Sequence, residues 1–307
     1  MARRKGSPVH GWLILDKPQS MTSTHALNKV KRLFDADKAG HAGTLDPLAT
    51  GVLPVAFGEA TKTIPHVMDS MKGYRFLVRW GAETDTDDAE GQTVKESAER
   101  PAREAIEALL PQFRGTIMQT PPRYSAIKIA GERAYDLARD GEQFDIAPRP
   151  VEITRLDVIE TSSTDTCLFE AECGKGTYVR ALARDLGRLL GCFGHVAELR
   201  RTRVGPLVEG DAISLETLTE LSNSADGREA LKRALRPVET ALDGIPALAV
   251  SGSDAAELKR GKSIILRGRD APIHKGLIYA TSRGMLVALG EVERGELKPT
   301  RVFNLPL

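Results

Sequence analysis

The chain has 307 residues, with 43 Lys or Arg against 42 Asp or Glu, so its formal net charge is +1 at pH 7. A content of 41% hydrophobic and 28% charged residues is typical of a soluble globular protein and excludes a wholly disordered chain. No apolar run approaches the ~20 residues that a membrane helix needs, and no apolar segment of the kind found in signal peptides follows the basic start. The three cysteines form no CxxC pair, which argues against a disulfide framework or a zinc site. We therefore expect a cytoplasmic protein.

The first third of the chain predicts a strand, a helix, a loop and a second strand. Residues 11–18 read as a short buried strand that ends at a proline. An amphipathic helix follows, capped by Thr22 or Ser23. A loop rich in glycine and proline covers residues 40–50, and residues 74–80 alternate as a strand does.

The central third predicts helices and paired strands around an irregular insertion. Residues 83–91 form an acidic turn region, and residues 118–150 carry several prolines and turn signals, which predict an excursion from the main sheet. The predicted helices lie at residues 102–110, 134–139, 177–190, 215–221 and 229–235, and the predicted paired strands at 151–160 and 167–173.

The pattern changes near residues 243–246. Beyond this point, short apolar runs at 263–266, 276–279 and 285–289 are each bounded by Gly, Pro or Asp. Such runs are typical of short strands. We therefore predict two domains, residues 1–242 and a small β-rich unit at 243–307.

Charge is distributed unevenly along the chain. Residues 1–41 hold eight basic and three acidic side chains, residues 175–206 hold seven and two, and residues 83–107 hold three and nine. This pattern fits a basic cleft with an acidic back, which suits a polyanionic partner, but it fits separately solvated charged faces equally well. The excess of arginine in the last basic window favours contacts with phosphate.

The densest group of chemically interesting residues is the segment 40–53, whose glycines and proline impose an unusual loop path. Asp46 stands between Leu45 and Pro47, so a stiff backbone and apolar neighbours would present a desolvated carboxylate for nucleophilic or base chemistry. An Asx-turn before Pro47, without any chemical role, fits the same residues. The pattern alone leaves both interpretations open.

Two further segments carry candidate residues. Residues 174–180 contain Gly-Lys-Gly-Thr, but not in the order of a Walker phosphate loop, so a nucleotide site is not predicted. Arg180 opens a helix and either pairs with a buried carboxylate or faces solvent. Tyr74 begins a strand and either stacks on a nucleobase or packs in the core.

Metal-ligand spacing is absent around His41, His66, His195 and His274.

Taken in order, these segments resemble the TruB family of tRNA pseudouridine synthases over nearly the whole chain. Residues 40–53 look like the catalytic motif of the family and place its nucleophilic aspartate at Asp46. Further segments that match family motifs lie at residues 11–23, 72–74, 84–91, 119–135, 176–180 and 199–206. The C-terminal segment is similar to a PUA domain in position and strand pattern.

The resemblance implies an isomerase that converts the T-loop uridine at tRNA position 55 to pseudouridine by base flipping, with no cofactor and no metal. It implies that Asp46, Tyr74 and Arg180 are the catalytic residues. Arg180 would pair with the Asp46 carboxylate, and Tyr74 would stack on the target base.

The resemblance also implies a set of substrate-binding residues. His41 would fill or support the space that the flipped base leaves, while Tyr178 and Leu199 would line the uracil pocket. The residues expected to contact RNA phosphates are Lys5, Lys17, Lys62, Arg123, Lys128, Arg200, Arg201 and Arg203.

The implied fold is α+β: a pseudouridine synthase fold, with a mixed and mainly antiparallel sheet and flanking helices, plus a small C-terminal PUA domain. Residues 118–150 would be an RNA-gripping insertion. The implied partner is the tRNA T-arm, with no membrane, no obligatory protein partner and a monomeric chain.

Two alternatives stay open. One is a guide-RNA-dependent pseudouridine synthase subunit, and the other is an RNA-binding or RNA-folding protein without catalysis. The segment 120–135 and the lack of a long basic tail favour a stand-alone enzyme, and the intact candidate catalytic residues favour an enzyme.

Overall fold

The computed structural model describes residues 6–125, 127–129, 132–140, 142, 144–266 and 275–305. The helices are α1 (Ser23–Leu33), α2 (Ile64–Asp69), α3 (Arg103–Leu109), α4 (Ala134–Arg139), α5 (Val179–Leu189), α6 (Leu215–Asn223), α7 (Gly227–Arg233) and α8 (Gly252–Lys259). The strands up to the insertion are β1 (Gly11–Lys17), β2 (Ala39–His41), β3 (Thr50–Phe57), β4 (Lys72–Trp80), β5 (Ala82–Thr84), β6 (Thr93–Glu96) and β7 (Gly115–Gln119). The later strands are β8 (Lys128–Ile129), β9 (Glu132–Arg133), β10 (Arg149–Ser163), β11 (Thr166–Cys173), β12 (Gly194–Val204), β13 (Leu207–Val208), β14 (Ile213–Ser214), β15 (Ala247–Ala249), β16 (Ile264–Ile265), β17 (Gly276–Ser282), β18 (Met285–Glu293) and β19 (Glu296–Val302).

A large mixed sheet runs in the order β14-β1-β3-β12-β4-β11-β10-β7, with β2 beside β3 and β13 beside β12. Most neighbours are antiparallel, whereas β1 and β14, and β3 and β12, pair in parallel. The predicted α+β class with a mainly antiparallel sheet is confirmed. Strand β12 lies between β3 and β4, so it adjoins both the segment that follows Asp46 and the strand that carries Tyr74.

Two long strands of this sheet, β3 and β12, are among those that were not predicted from the sequence. Strand β3 contains Gly51 and Pro54, which are typical of loops. In strand β12 the charged residues of the segment 198–203 break the alternating pattern. Both strands are set by long-range pairing, which overrides the local preference.

The insertion leaves the main sheet and returns to it at a defined pair of residues. Gln119 at the end of β7 pairs with Arg149 at the start of β10. Between these positions the described residues form α4 and the small separate pair of β8 and β9. The predicted excursion therefore occupies residues 120–148.

Strand β1 packs on both of its faces because the sheet lies between two apolar clusters. Leu13 and Leu15 face the cluster that contains α1, whereas Trp12 and Ile14 face a second cluster. The second cluster also contains Phe303 from the C-terminal part. Trp12 donates a hydrogen bond from Nε1 to the hydroxyl of Thr63, which satisfies its one buried polar group.

The C-terminal part has its own sheet in the order β15-β17-β18-β19-β16. All its strands lie within residues 247–302, and those of the large sheet lie within 11–214. Leu286, Leu289 and Phe303 pack against the large sheet through the second cluster. The sheet therefore sits directly on the part of the chain that carries β1.

Gly51 provides a test of the contact between β3 and β12. Its φ is +96°, and a Cβ at this position would collide with the carbonyl oxygen of Arg201. We expect Gly51→Ala to lower the free energy of unfolding by about 3 kcal/mol, because it adds both backbone strain and a clash. Denaturant unfolding measures the change.

Gly244 is the matched control for this prediction. Its φ is +81°, but no atom of a residue beyond its chain neighbours lies within 4 Å of the place that a Cβ would occupy. Gly244→Ala should therefore cost only about 1 kcal/mol. Equal losses at the two positions would contradict the proposed role of close strand contact.

Candidate active site

A cavity of about 660 Å³ lies where the predicted motifs converge. Its wall includes six of the predicted site residues, which are Asp46, Tyr74, Tyr178, Arg180, Leu199 and Arg201. The segments 22–24, 43–47 and 174–180 contribute most of the remaining lining. Residues that are far apart in sequence therefore form one concave site, as ligand sites generally require.

The carboxylate of Asp46 and the guanidinium of Arg180 form an ion pair, with Nε 2.9 Å from Oδ2. Arg180 is buried and also lies 3.4 Å from the carboxylate of Asp88. It donates further hydrogen bonds to the carbonyl oxygens of Thr86 and Tyr124. Because four partners fix the guanidinium, it holds the Asp46 side chain in one place beside the cavity. The predicted pairing of Asp46 with Arg180 is present.

Lys17 anchors the loop that carries Asp46 through hydrogen bonds to backbone carbonyls. Its side chain is completely buried, and its Nζ donates to the carbonyl oxygens of Pro18, Met21 and Pro47 at 2.8, 2.7 and 3.3 Å. All three ammonium protons are therefore committed to the backbone. The prediction that Lys17 contacts an RNA phosphate is wrong, because no part of this side chain reaches the surface.

Ser23 is a second anchor of the same loop. Its hydroxyl donates to the carbonyl oxygen of Leu45 at 3.0 Å and accepts from the Leu45 N–H at 2.8 Å. The cap of α1 is instead Thr22, whose hydroxyl accepts from the N–H of His25. The sequence left these two cap candidates open, and the structure assigns Ser23 to the loop next to Asp46.

Two tyrosines line the cavity at the ends of secondary-structure elements. Tyr74 lies near the start of β4, and burial raises the pKa of its phenol. Tyr178 precedes α5, and burial raises its pKa as well. The side-chain amide of Gln119 fixes Tyr178 by accepting from its N–H at 2.9 Å and donating to its carbonyl at 3.1 Å. No pattern in the sequence indicates this role of Gln119, which stands directly before the insertion.

His41 lies next to the cavity but outside its described lining. Its ring is partly buried, and Nδ1 has no hydrogen-bond partner among the residues that the structure describes. Burial, together with the nearby charge of Arg201, holds the pKa of His41 below its ordinary value. The ring is therefore biased towards its neutral form, which is compatible with contact to a base.

The acidic turn packs against the arginine face of α5. Three arginines one helical turn apart each meet a carboxylate of this turn. The pairs are Arg180–Asp88, Arg184–Asp87 and Arg188–Glu83. A division into a basic cleft and an acidic back is therefore wrong, because the acidic window neutralises much of the second basic window directly.

Most of the other predicted phosphate ligands already have partners within the chain. Arg201 is buried, so its predicted phosphate contact is wrong. Partly exposed ion pairs join Lys62 to Glu59, Arg200 to Asp16 and Glu209, and Arg203 to Glu172. Arg123 donates to the carbonyl of Glu142 and lies over the ring of Phe144. Contact of Lys62, Arg123, Arg200 and Arg203 with RNA stays a prediction, while Lys5, His274 and the side chain of Lys128 lie outside the described residues.

The buried amine of Lys17 makes the protein's stability depend on pH. Burial lowers the pKa of Lys17 from 10.5 to about 8. Between these values the unfolded chain binds more protons than the folded protein, so stability rises with pH through this window. We expect the wild type to gain about 2 kcal/mol relative to Lys17→Met between about pH 7 and pH 10. Urea unfolding at several pH values measures the difference, and a gap that stays constant with pH would contradict the prediction.

The described residues lack two kinds of feature. No helix among them is long and apolar enough to cross a bilayer. In the same part of the chain, no three His, Cys, Asp or Glu side chains are grouped so that they could hold a metal ion.

The sequence matches a known protein family and curated relatives over most of its length. Residues 31–179 match the family described as TruB family pseudouridylate synthase, N-terminal domain, and residues 180–243 match the tRNA pseudouridylate synthase B C-terminal domain. A curated relative from Rhodopseudomonas palustris is 62% identical over 99% of this chain and 83% of its own length. The chain belongs to the TruB family of pseudouridylate synthases. The relative is named tRNA pseudouridine synthase B, as is one from Agrobacterium fabrum that is 57% identical over 98% of this chain and 96% of its own.

Two solved structures share the fold of this chain. A chain of a Cbf5-Nop10-Gar1 complex is 28% identical with a TM-score of 0.74, over 96% of this chain and 84% of that chain. A chain of an H/ACA RNP bound to a substrate RNA is 26% identical with a TM-score of 0.75, over 96% and 86%. The predicted pseudouridine synthase fold is confirmed by these neighbours.

Proposed function

We propose that this enzyme isomerises uridine to pseudouridine in tRNA, at position 55 of the T-loop. The observation that carries the proposal is the ion pair between Asp46 and Arg180 in the wall of the cavity. It lies in a chain whose relatives at 52–62% identity are named tRNA pseudouridine synthase B. A buried guanidinium that fixes one carboxylate beside a cavity suits a reaction that needs a positioned aspartate.

The reaction breaks the bond between C1′ and N1, turns the uracil and reattaches it through C5. Nothing is oxidised or reduced, and the product is an isomer of the substrate. The target base must leave its stack before the enzyme reaches it, which costs roughly a few kcal/mol. We propose that the cavity receives this base, with Tyr74 stacked on it and Leu199 and Tyr178 along its edges.

The T-arm is the proposed partner of the surface around the cavity. Lys62, Arg123, Arg200 and Arg203 are the described candidates for phosphate contacts. Because these side chains hold internal partners, each contact would replace an ion pair or a carbonyl bond rather than engage a free cation. Binding should still weaken steeply as salt rises, since phosphate contacts release counterions. An affinity for tRNA that does not change with salt concentration would argue against phosphate contacts at this surface.

The C-terminal sheet is proposed as a PUA domain that adds a second RNA contact. It packs on the large sheet through Leu286, Leu289 and Phe303, so its position relative to the cavity would be fixed. We also propose a cytoplasmic monomer that needs no protein partner.

One experiment tests the proposed function against both alternatives. The purified chain is incubated with an unmodified tRNA transcript and without guide RNA, and pseudouridine is mapped by sequence position. Product at position 55 supports a stand-alone enzyme. Product that appears only when guide RNA and protein partners are added would favour the guide-dependent alternative, which the likeness to a Cbf5 chain motivates. Tight RNA binding without product under either condition would favour a non-catalytic RNA-binding protein.

A further inference from the structure

Arg201 is a buried cation in the wall of the active cavity. Its side chain is only 1% exposed, and it belongs to β12 two residues after Leu199. Nε donates to the carbonyl oxygen of Val52 at 2.8 Å, and the terminal nitrogens donate to Gly43 at 3.0 Å and to Thr44 at 3.4 Å. Its guanidinium is therefore fixed between the two ends of the loop that contains Asp46.

No carboxylate among the described residues forms an ion pair with Arg201. The other two buried arginines differ in this respect. Arg180 pairs with Asp46 and Asp88, and Arg184 pairs with Asp87 and Asp185. A buried charge without a counter-ion is costly. Such a cost is commonly retained at sites where the charge acts on a ligand.

The field of Arg201 reaches the groups around the cavity. Its positive charge contributes to lowering the pKa values of His41, Lys17 and Lys72, in each case after burial as the larger cause. The same charge opposes the increase in the pKa of Tyr74 that burial causes. Arg201 therefore contributes positive potential at these side chains, although at Lys17 the carboxylates of Asp46 and Glu90 contribute more in the opposite sense.

We propose that Arg201 supplies the positive charge that stabilises the uracil ring when its bond to the ribose breaks. This inference rests on the proposed function. When C1′–N1 breaks, the bonding electron pair stays on the base, so negative charge spreads over N1 and the two carbonyl oxygens. The pair is returned when C5 bonds to C1′. C5 then loses its proton and N1 gains one through solvent, so that the ring is restored and the product is an isomer of uridine. A cation beside the base lowers the energy of the detached, negatively charged uracil that exists between bond breaking and bond formation.

The way Arg201 is held favours this role. Three backbone carbonyls hold the guanidinium in place before substrate arrives, so it need not reorganise during the reaction. Those carbonyls leave its net charge intact, whereas a carboxylate partner would cancel it. Arg201 is thus suited to act on a developing anion.

The test compares two target bases in otherwise identical tRNA transcripts, one with uridine and one with 5-fluorouridine at position 55. Fluorine withdraws electron density and stabilises the departing base as an anion, so this base depends less on help from the enzyme. The rate of loss of the target nucleoside is measured in single turnover with enzyme in excess. We expect Arg201→Gln to lower the rate of uridine loss about 100-fold. The rate of 5-fluorouridine loss should fall by about tenfold or less. Arg201→Lys, which keeps the charge, should fall between Arg201→Gln and the wild type.

Arg184→Gln is the matched control, because Arg184 is also a buried arginine but lies outside the described lining of this cavity. This substitution should lower the rates of uridine loss and 5-fluorouridine loss by the same factor. Equal slowing of the two bases in Arg201→Gln would overturn the inference and leave Arg201 as a loop anchor only. If Arg201→Gln fails to fold by circular dichroism, the same comparison in Arg201→Lys decides. A wild type that makes no pseudouridine refutes the proposed function itself, which is a separate result.

Discussion

Asp46→Asn should abolish pseudouridine formation while leaving tRNA binding nearly unchanged. The substitution keeps the shape of the side chain but removes the negative charge and the nucleophilic or basic oxygen. We expect the single-turnover rate to fall by at least about 10⁴-fold. The fold should survive, because Arg180 keeps its contacts with Asp88 and with two backbone carbonyls. Nucleoside analysis measures the rate, and filter binding measures the affinity for tRNA.

Asp211→Asn is the control for this prediction. Asp211 is an exposed residue that pairs with Arg236 and lies outside the described lining of the cavity. Its substitution should change neither rate nor binding. Product formed by Asp46→Asn at the wild-type rate would show that Asp46 is not required for the chemistry.

Arg180→Met should damage both stability and activity. It leaves the buried carboxylate of Asp88 without its ion-pair partner, and it removes the group that holds Asp46. Loss of one member of a buried pair costs about 3–5 kcal/mol, so we expect a large decrease in the free energy of unfolding. The rate should fall by about 100-fold or more, since a misplaced catalytic group loses its alignment.

A surface pair provides the comparison for Arg180. Arg233 is largely exposed and pairs with Asp226, so Arg233→Met should cost between about 0 and 1 kcal/mol. Chemical denaturation of both variants gives the stability difference. A cost for Arg180→Met as small as that for Arg233→Met would mean that the buried network adds nothing to stability.

The sequence predicted the elements whose pattern is local. Helix α5 and the paired strands β10 and β11 follow directly from apolar periodicity. Strand β12 could not be found this way, because pairing with β3 and β4 defines it rather than its own alternation. The same limit applied to Asp46 and Arg180. Residue types alone left each of these residues with two interpretations. Only the family resemblance implied that they form a pair.

Lys17 shows which signal was overlooked. A lysine is usually exposed, so a basic residue in a basic window was interpreted as a phosphate ligand. However, Lys17 has the same parity along β1 as Leu13 and Leu15, which both face the core. Because both faces of β1 are covered by apolar clusters, either parity along this strand places a side chain inwards. Its three carbonyl partners lie in loop segments outside the helices and strands, and no sequence pattern identifies them in advance.

The dependence of the Asp46 loop on Arg201 also has a consequence for protein synthesis. The bond from Arg201 to Val52 joins residues 149 positions apart. At roughly 5–20 residues per second, a ribosome takes about 7–30 s to make that stretch. During this interval the nascent chain carries its aspartate on a loop that lacks the β12 anchor. The loop that carries Asp46 therefore cannot take its final, anchored form until the chain has been made as far as β12.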